Sequence, residues 1–586
     1  MTAPSETVRT VRLRVDGNRE AQGPLTLGQA NTLQWISALS DDHFLSLVQW
    51  IFTVPAGTSL ERACAALTAL VRRYESLRTT YHDGPDGPMQ RVAGTVELSI
   101  EVHQRPAQPD RTALSRELIG RLRERPFDLS RDLPLRFAVA VEGDLVHAAV
   151  AVYSHMAADY VSLTVLGERF TGLLAGSATD EDEPPHQPLD RAARERSPQG
   201  LRQADAALRY WSSILRRRPR CVLPLRAAGA ESSAQDGGAT TLAPRSADLY
   251  SPRAAAALDR ITARTGASRA MAVIAALAAV LATRCGQRHV VLYSPAANRL
   301  GMRPRDYVGT VAQDGLISVE VDQPDYDALV RHTGTALLRA NRNSVFDADA
   351  LQREHDRIAH ERGMPMIRDG VFNNISGNAP PDLPKVSTAE TFIDWWTPTG
   401  FTNLLLFHLV RTEQALILEL ITGDNRHLPD AEMEALLLGT ERVLATAATG
   451  NVPLDDVGDI AGIEPFARDG DWHFVDHSWI QLSEVNRVLR AALTGPARAF
   501  VVGGDEPDGT TIIAHLAAAD GITDPAQAHL ACLRRLADSY TAITPHRYVL
   551  HPGAPADPAN PQAWRELPVL AEGNGRSAAA GSEAGT

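Results

Sequence analysis

Two apolar runs, Arg136–Val141 and Leu145–Tyr153, flank Glu142-Gly143-Asp144, and the second leads directly into Ser154-His155. Such runs around a short Gly-bearing turn predict an antiparallel hairpin. A histidine at the point where the chain leaves a buried strand has its ring placed by a rigid element. Asp159 follows four residues on, across a short turn that can fold back under the same loop. A ring held this way can take a proton from an attacking amine or alcohol. Its ordinary pKa near about 6.5 suits neutral pH, and such a step contributes about 10²–10⁴-fold. On spacing alone a satisfied or surface histidine is the commoner outcome of His-x-x-x-Asp, so the surrounding chain must decide.

Periodicity and punctuation give that setting. Helical spacing covers Leu25–Leu39 and Leu60–Tyr74, the second opened by Ser59 as a cap. Asp180-Glu181-Asp182-Glu183-Pro184-Pro185 reads as a solvated linker, and 227–238 as a long loop. Ser251–Cys285 holds two helices, the second apolar enough to be buried, and His289–Tyr293 is a short buried strand after it. Helices at Tyr326–Ala340 and Pro429–Ala448 and strands within Phe401–Thr422 complete this block. From about Asp455 the pattern is a small α/β unit: Val485–Leu493 helical, Ala499–Val502 and Thr511–Ala517 a hairpin, Ala526–Ser539 helical.

Composition removes several classes. The net charge of −13 and 5% aromatics argue against coating nucleic acid. The longest apolar stretch, Ala270–Ala282, is shorter than the roughly 20 residues of a membrane span, and Met1–Gly17 has no apolar signal-peptide core. A soluble, cytoplasmic protein is expected. Cys64, Cys221, Cys285 and Cys532 are too scattered for a metal cage or disulfide frame, and His355 with His360 lacks zinc spacing. No metal and no bound cofactor are expected. Arg216-Arg217-Arg218-Pro219-Arg220 reads as a solvated helix end that could also meet an acidic partner, and Trp395-Trp396 as a core cap. Lys385 is the one lysine.

Six segments, in order, resemble condensation domains of nonribosomal peptide synthetases. They are Leu25–Gln29 through Trp35; Arg72-Arg73-Tyr74-Glu75-Ser76-Leu77-Arg78-Thr79; Pro126-Phe127-Asp128-Leu129 with Pro134-Leu135-Arg136; Ser154–Tyr160 against His-His-x-x-x-Asp-Gly; Ala207–Trp211; and Ser294–Arg299 with Val308-Gly309. The resemblance covers about 20–450. It implies an α/β (α+β) fold: a two-lobed chloramphenicol-acetyltransferase-like architecture, with 1–178 as the N-terminal lobe and 179–455 as the C-terminal lobe. It further implies His155 as base or positioner of the acceptor, and Asp159 as a structural group ion-paired to Arg299 across the lobes. Glu75 and Arg78 would be packing residues.

Two departures stand out: Ser154 replaces the first signature histidine, and Tyr160 replaces the closing glycine, while Ser162 keeps the small hydroxyl after the turn. Tyr160 would add a bulky ring near the tunnel or force a different loop. The last block, 456–572, resembles the small C-terminal subdomain of adenylate-forming enzymes through Trp479–Val485 and Thr544–Leu550, but no lysine follows Lys385, so it would not adenylate. A disordered tail, 573–586, is expected after it.

The function implied is a free-standing condensation enzyme that makes an amide or ester in natural-product biosynthesis. Its acyl donor would ride the phosphopantetheine of a separate peptidyl or acyl carrier protein, and its acceptor would be a small molecule or carrier-bound. The alternatives are a catalytically inactive module of the same fold that recruits a tailoring enzyme or carrier, and a coenzyme A-dependent acyltransferase.

Overall fold

The computed structural model describes residues 7–38, 43–106, 110–178, 185–224, 243–299, 306–378, 390–398, 404–503, 510–518, 522–536 and 539–576. The chain divides into two compact units. The first is Met1–Ala207 with Ala296–Gln313 and Ser344–Ala348; the second is Leu208–Pro295, Asp314–Asn343 and Asp349–Thr586.

In the first unit the strands are β1 (Thr7–Asp16), β2 (Ala21–Pro24), β3 (Leu47–Phe52), β4 (Thr79–Gly84), β5 (Gly87–Val92), β6 (Thr95–Gln104), β7 (Leu135–Glu142) and β8 (Leu145–Ser154). Five form one sheet in the order β1-β6-β7-β8-β3, and three form another, β2-β5-β4. Its first four helices are α1 (Leu27–Ala38), α2 (Leu60–Arg73), α3 (Arg111–Arg123) and α4 (Tyr160–Ala175). The Ser59 hydroxyl caps α2 by accepting from the Arg62 N–H. β7 and β8 form the expected hairpin, with Gly143 at φ +64° in its turn, a conformation that a side chain resists.

β8 lacks an in–out alternation because both faces are covered. Ala149, Ala151 and Tyr153 pack with Leu67, Leu70 and Val71 of α2 and Leu163, Leu166 and Phe170 of α4. Ala148, Val150 and Val152 pack with Leu114, Leu118 and Leu122 of α3. A strand enclosed on both sides is a stiff mount for whatever follows its last residue.

The first unit runs past residue 178, where the linker reading would have ended it. Leu27 N–H donates to Glu195 at 2.7 Å, Arg196 donates to the Leu25 carbonyl at 2.9 Å, and Arg19 pairs with Asp190 at 2.9 Å. These long-range polar contacts bind Pro188–Glu195 to the first unit, and local composition carries no trace of them. Residues 179–184 of the linker, the loop 227–238, Lys385 and residues 504–509 of the late hairpin lie outside the described residues.

The second unit holds a seven-stranded sheet of β9 (Arg245–Ser251), β10 (His289–Ala296), β11 (Gln313–Glu320), β12 (Gly370–Asn374), β13 (Phe392–Trp396), β14 (Leu405–Arg411) and β15 (Leu416–Thr422), ordered β11-β10-β12-β14-β15-β9-β13. β10, β12 and β14 run parallel. One face is buried under helices that include Arg269–Cys285, whose Ala272–Leu281 stretch is enclosed in the core. Among the described residues no single helix is long and apolar enough to cross a membrane.

The other face carries a lateral polar row set by register: Asp394, Asp248, Glu419, His408 and Asn373 lie opposite one another on successive strands. Trp396, exposed rather than capping a core, donates its indole N–H to Asp248 at 3.1 Å. Burial, and then the neighbouring Glu419, push the Asp248 carboxyl up to about 6. The folded state therefore holds this proton more tightly than an unfolded chain, so the stability it contributes is complete below about pH 4 and lost as pH rises through 6. Asp248→Asn is expected to raise the Tm at pH 8 and leave it nearly unchanged at pH 4.5, which paired thermal melts would read.

Residues from Trp472 onward belong to the second unit. A two-stranded ribbon, Trp472–Val475 with Ser478–Gln481, precedes a four-stranded sheet of Ala497–Val502, Thr511–Ala517, Arg547–His551 and Ala571–Gly573, side by side in that order. The helix expected over 526–539 is shorter, Pro525–Arg534. Arg220 does not lie in a solvated patch: it is 1% exposed and donates to the carbonyls of Leu536, Ser539 and Ala542. It takes up carbonyls left open beyond that helix, and burial pushes its pKa down to about 10. Arg216 instead pairs with Glu361 at 2.7 Å.

Arg468 reaches the Cys285 carbonyl at 2.6 Å, Trp479 the Gly286 carbonyl at 3.0 Å, and Arg362 the Asp476 carboxylate at 2.8 Å. The ordered chain also continues beyond 572: Arg576 donates to Thr544 and Pro545 carbonyls at 3.2 and 3.3 Å. Only 577–586 of the expected tail is outside the described residues. Arg220→Met keeps the volume and removes the cost of a buried cation but strands three carbonyls. A net loss of about 1–2 kcal/mol is expected from chemical denaturation.

Candidate active site

His155 follows the last residue of β8, and its backbone N–H donates to the Ser46 carbonyl at 2.8 Å, which ties the exit of β8 to the approach of β3. The ring is half-buried, and its Nδ1 is enclosed without a hydrogen-bond partner among the described residues. Nε2 is not enclosed in this way, and no hydrogen bond to it occurs among the described residues. Burial lowers the pKa of the ring, and its own backbone carbonyl and the Asp159 carboxylate oppose that only in part. The imidazole is therefore neutral, and able to accept a proton, at neutral pH.

Trp35 of α1 meets the imidazole edge-on, with centroids 5.8 Å apart and planes at 77°. The next residue, Met156, is fully buried in a cluster with Leu25 and Tyr81, and Ala30, Leu33 and Ile36 of α1 pack against that cluster. Tyr81 also donates to the Met156 carbonyl at 2.9 Å.

Asp159 is the N-cap of α4 and is 2% exposed. Its Oδ1 accepts from the Ser162 N–H at 3.0 Å and the Ser162 hydroxyl at 2.9 Å. Arg299 closes on both carboxylate oxygens, at 2.7 and 2.8 Å, and the Val311 N–H donates to Oδ2 at 3.2 Å. Burial alone would raise this carboxyl's pKa; Arg299 and the N–H donors override it and hold it below the ordinary carboxylate range.

Ser162 accepts from the Gly309 N–H at 3.1 Å and from Arg299 at 2.9 Å, so Asp159, Ser162, Arg299 and the 309–311 strap form one closed polar knot. Because Ala296–Gln313 belongs to the first unit, the pair lies within that unit rather than across lobes. The carboxylate is consumed in structure and does not reach the imidazole.

Ser154 is buried at the end of β8 and its hydroxyl accepts from the Met156 N–H at 3.3 Å. Tyr160 opens α4 and is 38% exposed. Its backbone is not in the positive-φ region, so no glycine is needed there and the loop is not forced elsewhere. Glu75 and Arg78 are buried in the first unit, Glu75 holding Arg19 at 2.6 and 2.8 Å and Arg78 the Arg19 carbonyl at 2.7 Å. Among the described residues no three His, Cys, Asp or Glu side chains gather as a metal site. Cys221, Cys285 and Cys532 are buried and Cys64 partly so.

The sequence marks Trp35 only as the end of a helix motif and carries no sign of the Ser46 carbonyl, the Tyr81 hydroxyl or the Val311 N–H. Backbone donors and acceptors leave no mark in residue identity. The motif Leu25–Gln29 through Trp35 was the signal in the sequence that pointed to this residue.

Solved structures with this architecture include the first condensation domain of the calcium-dependent antibiotic synthetase, 19% identical with a TM-score of 0.54 over 74% of this chain and 98% of that one. Another is the X-domain from teicoplanin biosynthesis, 18% identical with a TM-score of 0.55 over 75% and 98%. They define the fold as that of condensation domains. The condensation-domain family profile matches residues 21–382, and the chain belongs to that family.

Among curated relatives, the phosphinothricin tripeptide synthetase PhsC of Streptomyces viridochromogenes is 27% identical over 308 residues, 51% of this chain. The chain spans 28% of that synthetase's length. Condensation domains work with carrier-bound substrates in nonribosomal peptide synthesis.

Proposed function

We propose that this chain joins an acyl or aminoacyl thioester, carried on the phosphopantetheine of a separate carrier protein, to an amine or alcohol acceptor. The observation that supports this reading most directly is His155: a neutral imidazole on a rigid strand end with Nε2 open. The acceptor nitrogen or oxygen attacks the thioester carbonyl while Nε2 takes its proton. Collapse of the tetrahedral adduct breaks the carbon–sulfur bond, and the proton passes to the departing thiolate. The larger part of the rate enhancement comes from holding the two reactants together, with the ring adding proton removal. The Asp159 knot fixes the turn that bears His155 and stays outside the chemistry.

The test is incubation with an acyl-loaded carrier and a panel of amines and alcohols, read by intact mass beside His155→Ala. Loss of acyl mass from the carrier with matching product supports the reading. Transfer from acyl-coenzyme A but from no carrier would replace the donor. The alternative is a recruiting module of the same fold without turnover. Tight carrier binding with no transfer to any acceptor would establish that one instead.

A further inference from the structure

α1 is fixed to the knot at its near end and meets His155 at its far end. Near its start, a Cβ on Gly28 would stand 2.6 Å from the Val311 Cα and 2.7 Å from the Thr310 carbonyl oxygen. Glycine here permits backbone-to-backbone contact that no side chain allows. One turn on, the Thr32 hydroxyl is 3.5 Å from that of Thr310. The same strap gives its Val311 N–H to Asp159 and its Gly309 N–H to Ser162. At the other end Trp35 reaches the imidazole while remaining 41% exposed. Between them Met156, directly after His155, is buried in a cluster with Leu25 and Tyr81 against which Leu33 and Ile36 of the same helix pack. The distance from Trp35 to His155 is thus set twice, through the strap and through Met156.

We infer that Trp35 is a positioning residue that holds the imidazole of His155 in place and shields it from water, and that the seat of Gly28 on the 309–311 strap sets its distance. The indole packed at a steep angle against the imidazole limits rotation of that ring. This also assigns the knot a second effect: Asp159 and Arg299 act on His155 through α1 rather than by touching it. The charged group acting on the ring is Asp159, already neutralised by Arg299, so the ring's proton affinity follows its exposure to water.

The inference rests on His155 being the reacting ring, so its test needs no turnover. Carbethoxylation of His155 in the full-length chain, followed by peptide mass spectrometry from pH 5 to 8, gives a plateau rate for accessibility and a midpoint for the pKa. His515 in the second unit is the internal reference. Trp35→Ala is expected to raise the plateau several-fold and move the midpoint up toward the ordinary histidine value; Trp35→Phe should stay close to wild type. Gly28→Ala should shift both readings in the same direction as Trp35→Ala.

An unchanged plateau and midpoint in Trp35→Ala would overturn the role of Trp35. A shift in Trp35→Ala with none in Gly28→Ala would overturn the strap's part. If Trp35→Ala also accelerates His515, Trp35→Leu, which keeps bulk without an aromatic edge, is judged by the same two outcomes. Wild-type protein that transfers no acyl group would defeat the proposed reaction and leave this result standing.

Discussion

Arg299→Ala is expected to cost about 3–5 kcal/mol of stability at neutral pH, the range for removing one partner of a buried ion pair. Arg299 and Asp159 side chains are 10% and 3% exposed, so water cannot replace the guanidinium. The Ser162 and Val311 N–H donors remain but carry no charge. In the wild type the Asp159 pKa is lowered, so its contribution is present above the unfolded value of about 3.9 and lost as pH falls through the lower folded value. In the variant only the N–H donors still oppose burial, so the carboxyl takes up a proton more readily on acidification. The Tm gap between the two proteins should therefore be widest near pH 7–8 and close toward pH 4. Arg299→Lys should recover only part of it, because one ammonium cannot span both oxygens. A gap that is small, or that does not depend on pH, would contradict the knot.

His155→Ala is expected to lower kcat by about 10²–10⁴-fold with the fold intact. The structural bond at this position is the backbone N–H to Ser46, which alanine keeps. Substrates positioned without the ring should leave KM little changed. Because burial lowers the imidazole pKa, the acid limb of the wild-type kcat/KM profile should fall below the ordinary histidine range. A variant as active as wild type would remove His155 from the reaction. An acid limb above the ordinary range would contradict a buried neutral base.

The hairpin was legible from local pattern, and the Asp159–Arg299 pairing from the resemblance to condensation domains. The reason is physical: each depends on residues whose side chains do the work. Which body the pair belongs to was not legible, because Arg299 sits in sequence beside β10 while its hydrogen bonds run to α4 and the strap. Tyr160 looked disruptive from the motif, yet an ordinary helical backbone absorbs it. Arg220 looked solvated because four other cationic or proline residues surround it in sequence. Its partners, the carbonyls of Leu536, Ser539 and Ala542, lie more than 300 residues away and have no residue-type signature.

The interleaving of the two units limits how this gene can be cut and recombined. The chain leaves the first unit after Ala207, returns for Ala296–Gln313, and returns again for Ser344–Ala348. A fragment ending at residue 207 would carry Asp159 into the core without the cation that neutralises it. A chimaera joined anywhere between 208 and 295 would take its Arg299 strap from a different parent than its α4. A single crossover between Ser162 and Arg299 is therefore productive only when the two parents share the knot.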